Sequence, residues 1–399
     1  MYTEALKRVE EQSSDTTLSD KSVSEIRALF PYLKNQTYLN HAATGPLPTP
    51  VLEAVNRCLK ERSEGHIEYW PDGLDARAEF KERVGRLING LSANIAVSDS
   101  TSMALNWLAR GVQWQAGDRI LLNDLEFPSN VNPFLALEEQ GVIIDFVKAD
   151  NGCITVADIE RALHPQTRLV SLSFVQFLNG FRSDLETIGN LCRERDVIFC
   201  VDGIQGLGAL RLDVEKMNID FLAAGGQKWL MWPRGTAFFY VSPRILDSLK
   251  PMATGWLSVE EPWTFFQRSY ELLPDAGRFE PGIFNVLGVV GANESLKLME
   301  KAGFVQIEER VLEHSRWLSE QLLYSRYQLF SINQDEHRSG IVTFYHDQAE
   351  ALLTYMQQHR LFVSMRDGKI RLSPHFYNTR EELEQFMQLL NSFRKSEKK

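Results

Sequence analysis

In the stretch GGQKWLMWPRG, residues 225–235, Lys228 stands among glycines, tryptophans and a methionine, a poor setting for a solvated ammonium group. A lysine is seldom placed so without a partner or a task. Taken alone, it could also lay its stem along apolar surface and hold its head in water. Two further features weigh on that choice. VIFCVDGIQG ends its apolar run at Asp202, 26 positions before Lys228, with Gln205 three residues on. SDSTSMALNWLARG places small hydroxyl residues, Ser100 to Ser102, at the start of a predicted helix, where exposed N–H groups and the helix dipole favour a phosphate. Each signal is weak by itself, because Asp202 could cap a turn and a serine cluster usually only caps a helix. Together they offer an amine that can hold a carbonyl, a carboxylate that can keep a ring nitrogen protonated, and a cradle for phosphate.

Other chemistries lack their marks. GIQGLG (203–208) is not the GxGxxG of a dinucleotide site, and GxxxxGK[ST], HExxH and GxSxG do not occur. A lone histidine such as His41 or His375 is more often a hydrogen-bonded structural residue. Cys58, Cys153, Cys192 and Cys200 include no CxxC pair, so they read as reduced, packed thiols and metal ligation has little support. Lys plus Arg total 43 against 53 Asp plus Glu, a net charge of -10, which disfavours nucleic acid as a partner. The polar N-terminus lacks a signal-peptide core and no run reaches membrane-span length. A cytoplasmic location is the expectation.

The elements that must position these residues follow from apolar patterning. RILLND (119–124), LVSLSFVQF (169–177), VIFCVDG (197–203), DFLAAG (220–225) and TAFFYVS (236–242) read as strands buried on both faces. Helices lie between them, one opening at a capping box SDLE (183–186). Strands alternating with helices predict an α/β fold with a mainly parallel sheet covered by helices. After residue 290 amphipathic helices dominate, the last led by TREE (379–382), with short strands at GIVTFYH (340–346) and KIRLS (369–373). The expected division is a large domain over 36–280 and a smaller α+β domain over 281–399. Residues 1–35 are expected to pack on the smaller one. Ligands of such a sheet sit beyond the carboxyl ends of its strands, where Asp202, Lys228 and the serine cluster converge, and this set suits pyridoxal 5'-phosphate.

At this point the sequence resembles the class V aminotransferase family of fold-type I pyridoxal-phosphate enzymes, which includes cysteine desulfurases, kynureninases and isopenicillin-N-epimerase-like proteins. VDGIQG and DFLAAGGQKW at their spacing carry the resemblance. YLNHAATGPLP (38–48), LEFPSN (125–130), VQFLNGFRSDL (175–185), RFEPGIFN (278–285) and RLSPHFYNT (371–379) support it in order. It implies that Lys228 is the Schiff-base lysine, Asp202 the partner of the pyridine nitrogen and Gln205 a neighbour of the ring hydroxyl. Thr101 and Ser102 would bind phosphate, Phe127 would stack on the ring, and Arg371 would pair with the substrate carboxylate. His41, Trp70, Phe177 and Met365 are expected to line the substrate pocket.

Departures from the family pattern matter as much. HRLFVSMRDGKIRLS (359–373) holds no cysteine where desulfurases carry their nucleophile. Gln227 replaces the usual histidine before the lysine, Gly225 a frequent serine, and Ile283 a threonine that some relatives offer to the partner subunit. Gln227 can still donate to phosphate but carries no charge. The expected activity is at Cα of an amino acid, with amino transfer first. A C–S or C–Se lyase without a loop cysteine, an epimerase, and a scaffold without turnover are the alternatives. The resemblance also implies a homodimer.

Overall fold

The computed structural model describes residues 20–396 apart from 66, 68, 69 and 267, so most of the N-terminal segment lies outside the described residues. A helix at Asp20–Arg27 and a short strand β1 (Thr37–Tyr38) precede helices Thr49–Glu64 and Trp70–Ile88. The main sheet is then built from β2 (Ile95–Ser98), β3 (Arg119–Asn123), β4 (Ile143–Val147), β5 (Thr167–Ser173), β6 (Ile198–Asp202), β7 (Phe221–Gly225) and β8 (Ala237–Val241). Their order is β2-β8-β7-β6-β5-β3-β4. β8 alone runs opposite to the other six strands. β7 and β8 are buried at every position, the consequence of unbroken apolar runs in a sheet covered on both faces. The α/β expectation is thus met.

Two local features differ from the expectation. The run expected to continue to Phe177 leaves the sheet after Ser173, and Val175 instead makes an isolated bridge to Arg182. The helix Leu185–Glu194 is capped by Asp184, which accepts from the Thr187 amide at 3.1 Å, and not by Ser183. Ser183 is buried and donates its hydroxyl to the Ser173 carbonyl at 2.9 Å.

A second sheet has β9 (Val342–Tyr345), β11 (Ser364–Arg366) and β12 (Lys369–Leu372) in the antiparallel order β11-β12-β9. Between β9 and β11 the strand β10 (Leu361–Phe362) pairs in parallel with β1. Helices Phe304–Tyr324, Ala349–Gln358 and Arg380–Ser396 close a separate apolar core over this sheet, including Leu318, Phe344, Leu352, Leu372 and Phe386. Helix Val286–Ala302 belongs elsewhere. Its Val289, Ala292 and Leu296 lie in the core of the large sheet with Phe80 and Val84, and Asn293 donates to the Ala76 carbonyl at 2.9 Å. Near the start of the described chain, Arg27 pairs with Glu382 at 2.7 Å and Phe30 stacks on Tyr377.

Candidate active site

β6 ends at Asp202 and β7 at Gly225, adjacent strands in parallel, so the turns that follow them share one edge of the sheet. Lys228 follows β7 within that edge. Its backbone is clamped from the N-terminal loop. The Gly45 amide donates to the Gln227 carbonyl at 2.9 Å. A Cβ on Gly45 would lie 2.3 Å from the Lys228 oxygen, so only glycine permits this approach. Gln205 is a second clamp, donating to the Ala42 carbonyl at 3.0 Å and accepting from the Trp229 indole at 3.0 Å.

The charges here are desolvated. Asp202 is buried, its Oδ1 accepts from the Ile204 amide at 3.0 Å, and no salt bridge reaches it among the described residues. Burial raises its pKa, opposed by that amide and by Lys228, and reinforced by the charge of Glu126. Burial lowers the pKa of Lys228, Asp202 opposes this, and Arg371 and Arg366 add to it. The Lys228 ammonium lies 5.7 Å from the centroid of Phe127, whose ring meets Phe177 edge-on at 5.2 Å. An amine, an aromatic plate and a buried carboxylate therefore share one space.

The anion cradle lies at the helix Thr101–Gly111, capped by Ser100, which accepts from the Met103 amide. Thr101 is buried and accepts from the Gly225 amide at 2.8 Å, which leaves its hydroxyl proton to donate outward. Ser102 lies exposed, 2.7 Å from the hydroxyl of Ser129. The two departures in the lysine turn lie in contact. A Cβ on Gly225 would lie 2.6 Å from Gln227 Oε1 and 3.2 Å from the Thr101 hydroxyl, so the Gln227 amide occupies the room a serine there would need.

Arg371 comes from the second sheet. Ile370 and Leu372 are buried in that sheet's core, and Arg371 between them faces the other way. Its guanidinium is buried, donating to the Phe177 carbonyl at 2.6 Å and to Ser364 at 3.3 Å, with no acid paired to it among the described residues. Burial pushes its pKa down to about 9, helped by Arg366. Met365, expected in the pocket, pairs with Ile370 in register and packs against the core instead. Trp70, also expected there, packs on Trp256 at 5.7 Å. His41 is fully buried, with its ring nitrogens on the Ser373 carbonyl and the Tyr377 hydroxyl. Burial and the neighbouring His375 lower its pKa far below the usual histidine value.

One residue escaped the sequence reading. Glu126 is buried and accepts from Asn123 (2.5 Å), Asn130 (3.0 Å), Gln176 (2.8 Å) and both the amide (2.8 Å) and hydroxyl (2.5 Å) of Ser173. Ser173 is the register partner of Asp202. The caged carboxylate thus fixes the turn bearing Phe127 to the end of β5. Nothing in the string LEFPSN marks it apart from an ordinary acidic turn.

The residues fit pyridoxal phosphate on the structure's own terms. A buried carboxylate without a cation suits a protonated ring nitrogen, a neighbouring amine suits an aldehyde, and hydroxyls at a helix start suit a phosphate. Among the described residues no group of His, Cys, Asp and Glu could hold a metal ion, and no helix is long and apolar enough to cross a membrane. Comparison with known proteins agrees. The family model described as aminotransferase class-V matches residues 37–386. A probable cysteine desulfurase of Methanothermobacter thermautotrophicus is 29% identical over 390 residues, covering 90% of this chain and 95% of that protein. A cysteine desulfurase from Thermococcus onnurineus shares the fold with a TM-score of 0.86 at 24% identity, covering 94% and 98% of the two chains. A cystine C–S lyase, solved with its product cysteine persulfide, gives 0.83 at 24% identity over 90% and 98%. The chain belongs to the class-V aminotransferase family and is a fold-type I pyridoxal-phosphate enzyme.

Proposed function

We propose that the enzyme acts at Cα of an amino acid and that its reaction is amino transfer. The observation that supports action at Cα is a pair of buried charges near Lys228 without an ion pair among the described residues, the Asp202 carboxylate and the Arg371 guanidinium. Amino transfer is preferred because it needs no further catalytic group. In this reading Lys228 holds the cofactor aldehyde, Asp202 faces the ring nitrogen and Phe127 covers the ring. Gln205 lies toward the ring hydroxyl, while Thr101, Ser102 and Gln227 hold phosphate. Arg371 binds the substrate carboxylate through two parallel hydrogen bonds. When bound, the cofactor supplies a sink for the electrons of a Cα bond. The free Lys228 amine would move the Cα proton, and its lowered pKa would enlarge the neutral fraction able to do so. His41 enters as support beneath the loop 38–48, since both its ring nitrogens are engaged.

A lyase is the second reading, favoured by the desulfurase and C–S lyase names of the relatives. A route through a protein persulfide would be left with Cys153, the one partly exposed cysteine, whose thiol pKa is raised by burial and by the charges of Asp150 and Asp158. Cys192 and Cys200 are buried, with burial pushing the Cys192 thiol up to about 12, and β11 and β12 bear no cysteine. A homodimer belongs to the proposal, supported by the exposed aromatic rings of Trp263, Phe265 and Phe266. A cytoplasmic location does too, in keeping with cysteines that form no disulfide. So does a division into two domains, supported by the separate core over the second sheet, although Ile307, Val311, Ile341, Phe376 and Tyr377 join the core of the large sheet.

Borohydride treatment of the yellow holoenzyme followed by peptide mapping should place the reduced cofactor on Lys228. Label on another lysine would sink the assignment. Product formation that depends on an added keto acid supports amino transfer, whereas sulfide release without one supports the lyase.

A further inference from the structure

The hairpin of β11 and β12 carries more cationic charge toward the site than one substrate carboxylate needs. Its register pairs Ser364 with Arg371 and Arg366 with Lys369. Directly opposed residues share a face, so these four side chains project from one side, and Met365 and Ile370 from the other. That first side meets the large domain, where Arg371 donates to the Phe177 carbonyl and Thr343, opposite Arg371 on β9, donates to the Leu178 carbonyl at 2.7 Å. Arg366 and Arg371 are diagonal neighbours, with a backbone spacing of about 7–8 Å.

Two of the charges on this hairpin cancel. Lys369 pairs with Asp367 at 2.6 Å and lies 4.9 Å over the Phe330 ring. Arg366 donates only to the Met365 carbonyl at 2.7 Å, and neither arginine has a salt bridge among the described residues. Two guanidinium groups thus stand on one face without an anion, the inner one buried and the outer one exposed. Like charges so placed repel. Arg366 adds a positive field at both Arg371 and Lys228.

We propose that Arg366 and Arg371 together recognise amino acids whose side chain carries a second anionic group, of the aspartate and glutamate kind. The proposal rests on the reading of Arg371 as the site of the α-carboxylate. Arg371, at the bottom, takes the carboxylate common to every amino acid. Arg366, at the rim, takes the charge at the end of the side chain, which must extend toward the mouth. A neutral side chain leaves Arg366 without a partner and the repulsion only half relieved.

The test is absorbance titration of the holoenzyme with glutamate and aspartate against their near-isosteric amides, glutamine and asparagine. The acids should bind at least 10-fold more tightly than the amides. Arg366→Gln should bring that ratio down at least five-fold, and Arg366→Lys should restore part of it. Arg371→Leu should weaken acids and amides alike. If Arg371→Leu weakens neither, the α-carboxylate reading fails, whatever Arg366 does. If Arg371→Leu weakens all four, yet wild type does not prefer the acids or Arg366→Gln preserves the ratio, the two-arginine proposal is overturned. No spectral response to either acid overturns it as well.

Discussion

Asp202 illustrates a residue kept for chemistry against its own comfort. Its folded pKa is raised, so in the cofactor-free protein the folded state binds more protons than the unfolded one above the ordinary carboxylate range. Stability therefore falls as pH rises through the interval between the unfolded and folded values. Asp202→Asn removes that loss. The cofactor-free variant should melt about 2 °C or more above wild type at pH 8 and converge with it near pH 4, while the holoenzyme loses most turnover. A variant that melts below wild type at pH 8 would show that the carboxylate is well accommodated. At this scale Asp202 and Lys228 stand out because a charged residue follows or interrupts an apolar run, whereas the role expected of Arg371 comes from the resemblance alone. Glu126 was not legible. Its five donors come from Asn123, Asn130, Gln176 and Ser173, which only the fold gathers.

The legibility of elements followed their place in the sheet. β3, β5, β6, β7 and β8 were read from unbroken apolar runs, and all five are interior to the sheet order. β2 and β4 were not named, and they are its two edges. β4 presents Ile143 and Phe146 as exposed side chains, so it lacks the pattern of a strand covered on both faces. The capping of helix Leu185–Glu194 slipped by one residue because Ser183 and Asp184 are both good caps, and Ser183 is drawn away by the Ser173 carbonyl. The turn after β7 offers a test of element-level coupling. Gly225→Ala should cost about 1–3 kcal/mol in urea unfolding through contact with the Gln227 amide and Thr101. The cost should shrink by at least about 0.5 kcal/mol in a Gln227→Ala background. Additive effects would mean that the two departures are unrelated.

On the scale of the whole molecule, one surface exposes several aromatic side chains. Trp70, Trp256, Trp263 and Phe265 form a chain of ring contacts, and Phe266 is 96% exposed. Ile283 is 73% exposed. Contiguous apolar surface of this kind marks an interface. Sedimentation should give a dimer, and the triple substitution of Trp263, Phe265 and Phe266 by serine should shift it to monomer. A fully active monomeric wild type would refute this. The pairing of β1 with β10 has a different reach, into time. Thr37 finds its register partner only at Leu361, and the adjoining Asn40 bridges Ser373. At synthesis rates of about 5–20 residues per second, the strand waits roughly 15–65 s on the ribosome before its partner exists. The loop that clamps Lys228 through Gly45 begins just past that strand. Arg371 lies ten residues beyond Leu361, so the site that holds Lys228 lacks its buried guanidinium until that late stretch has also been made.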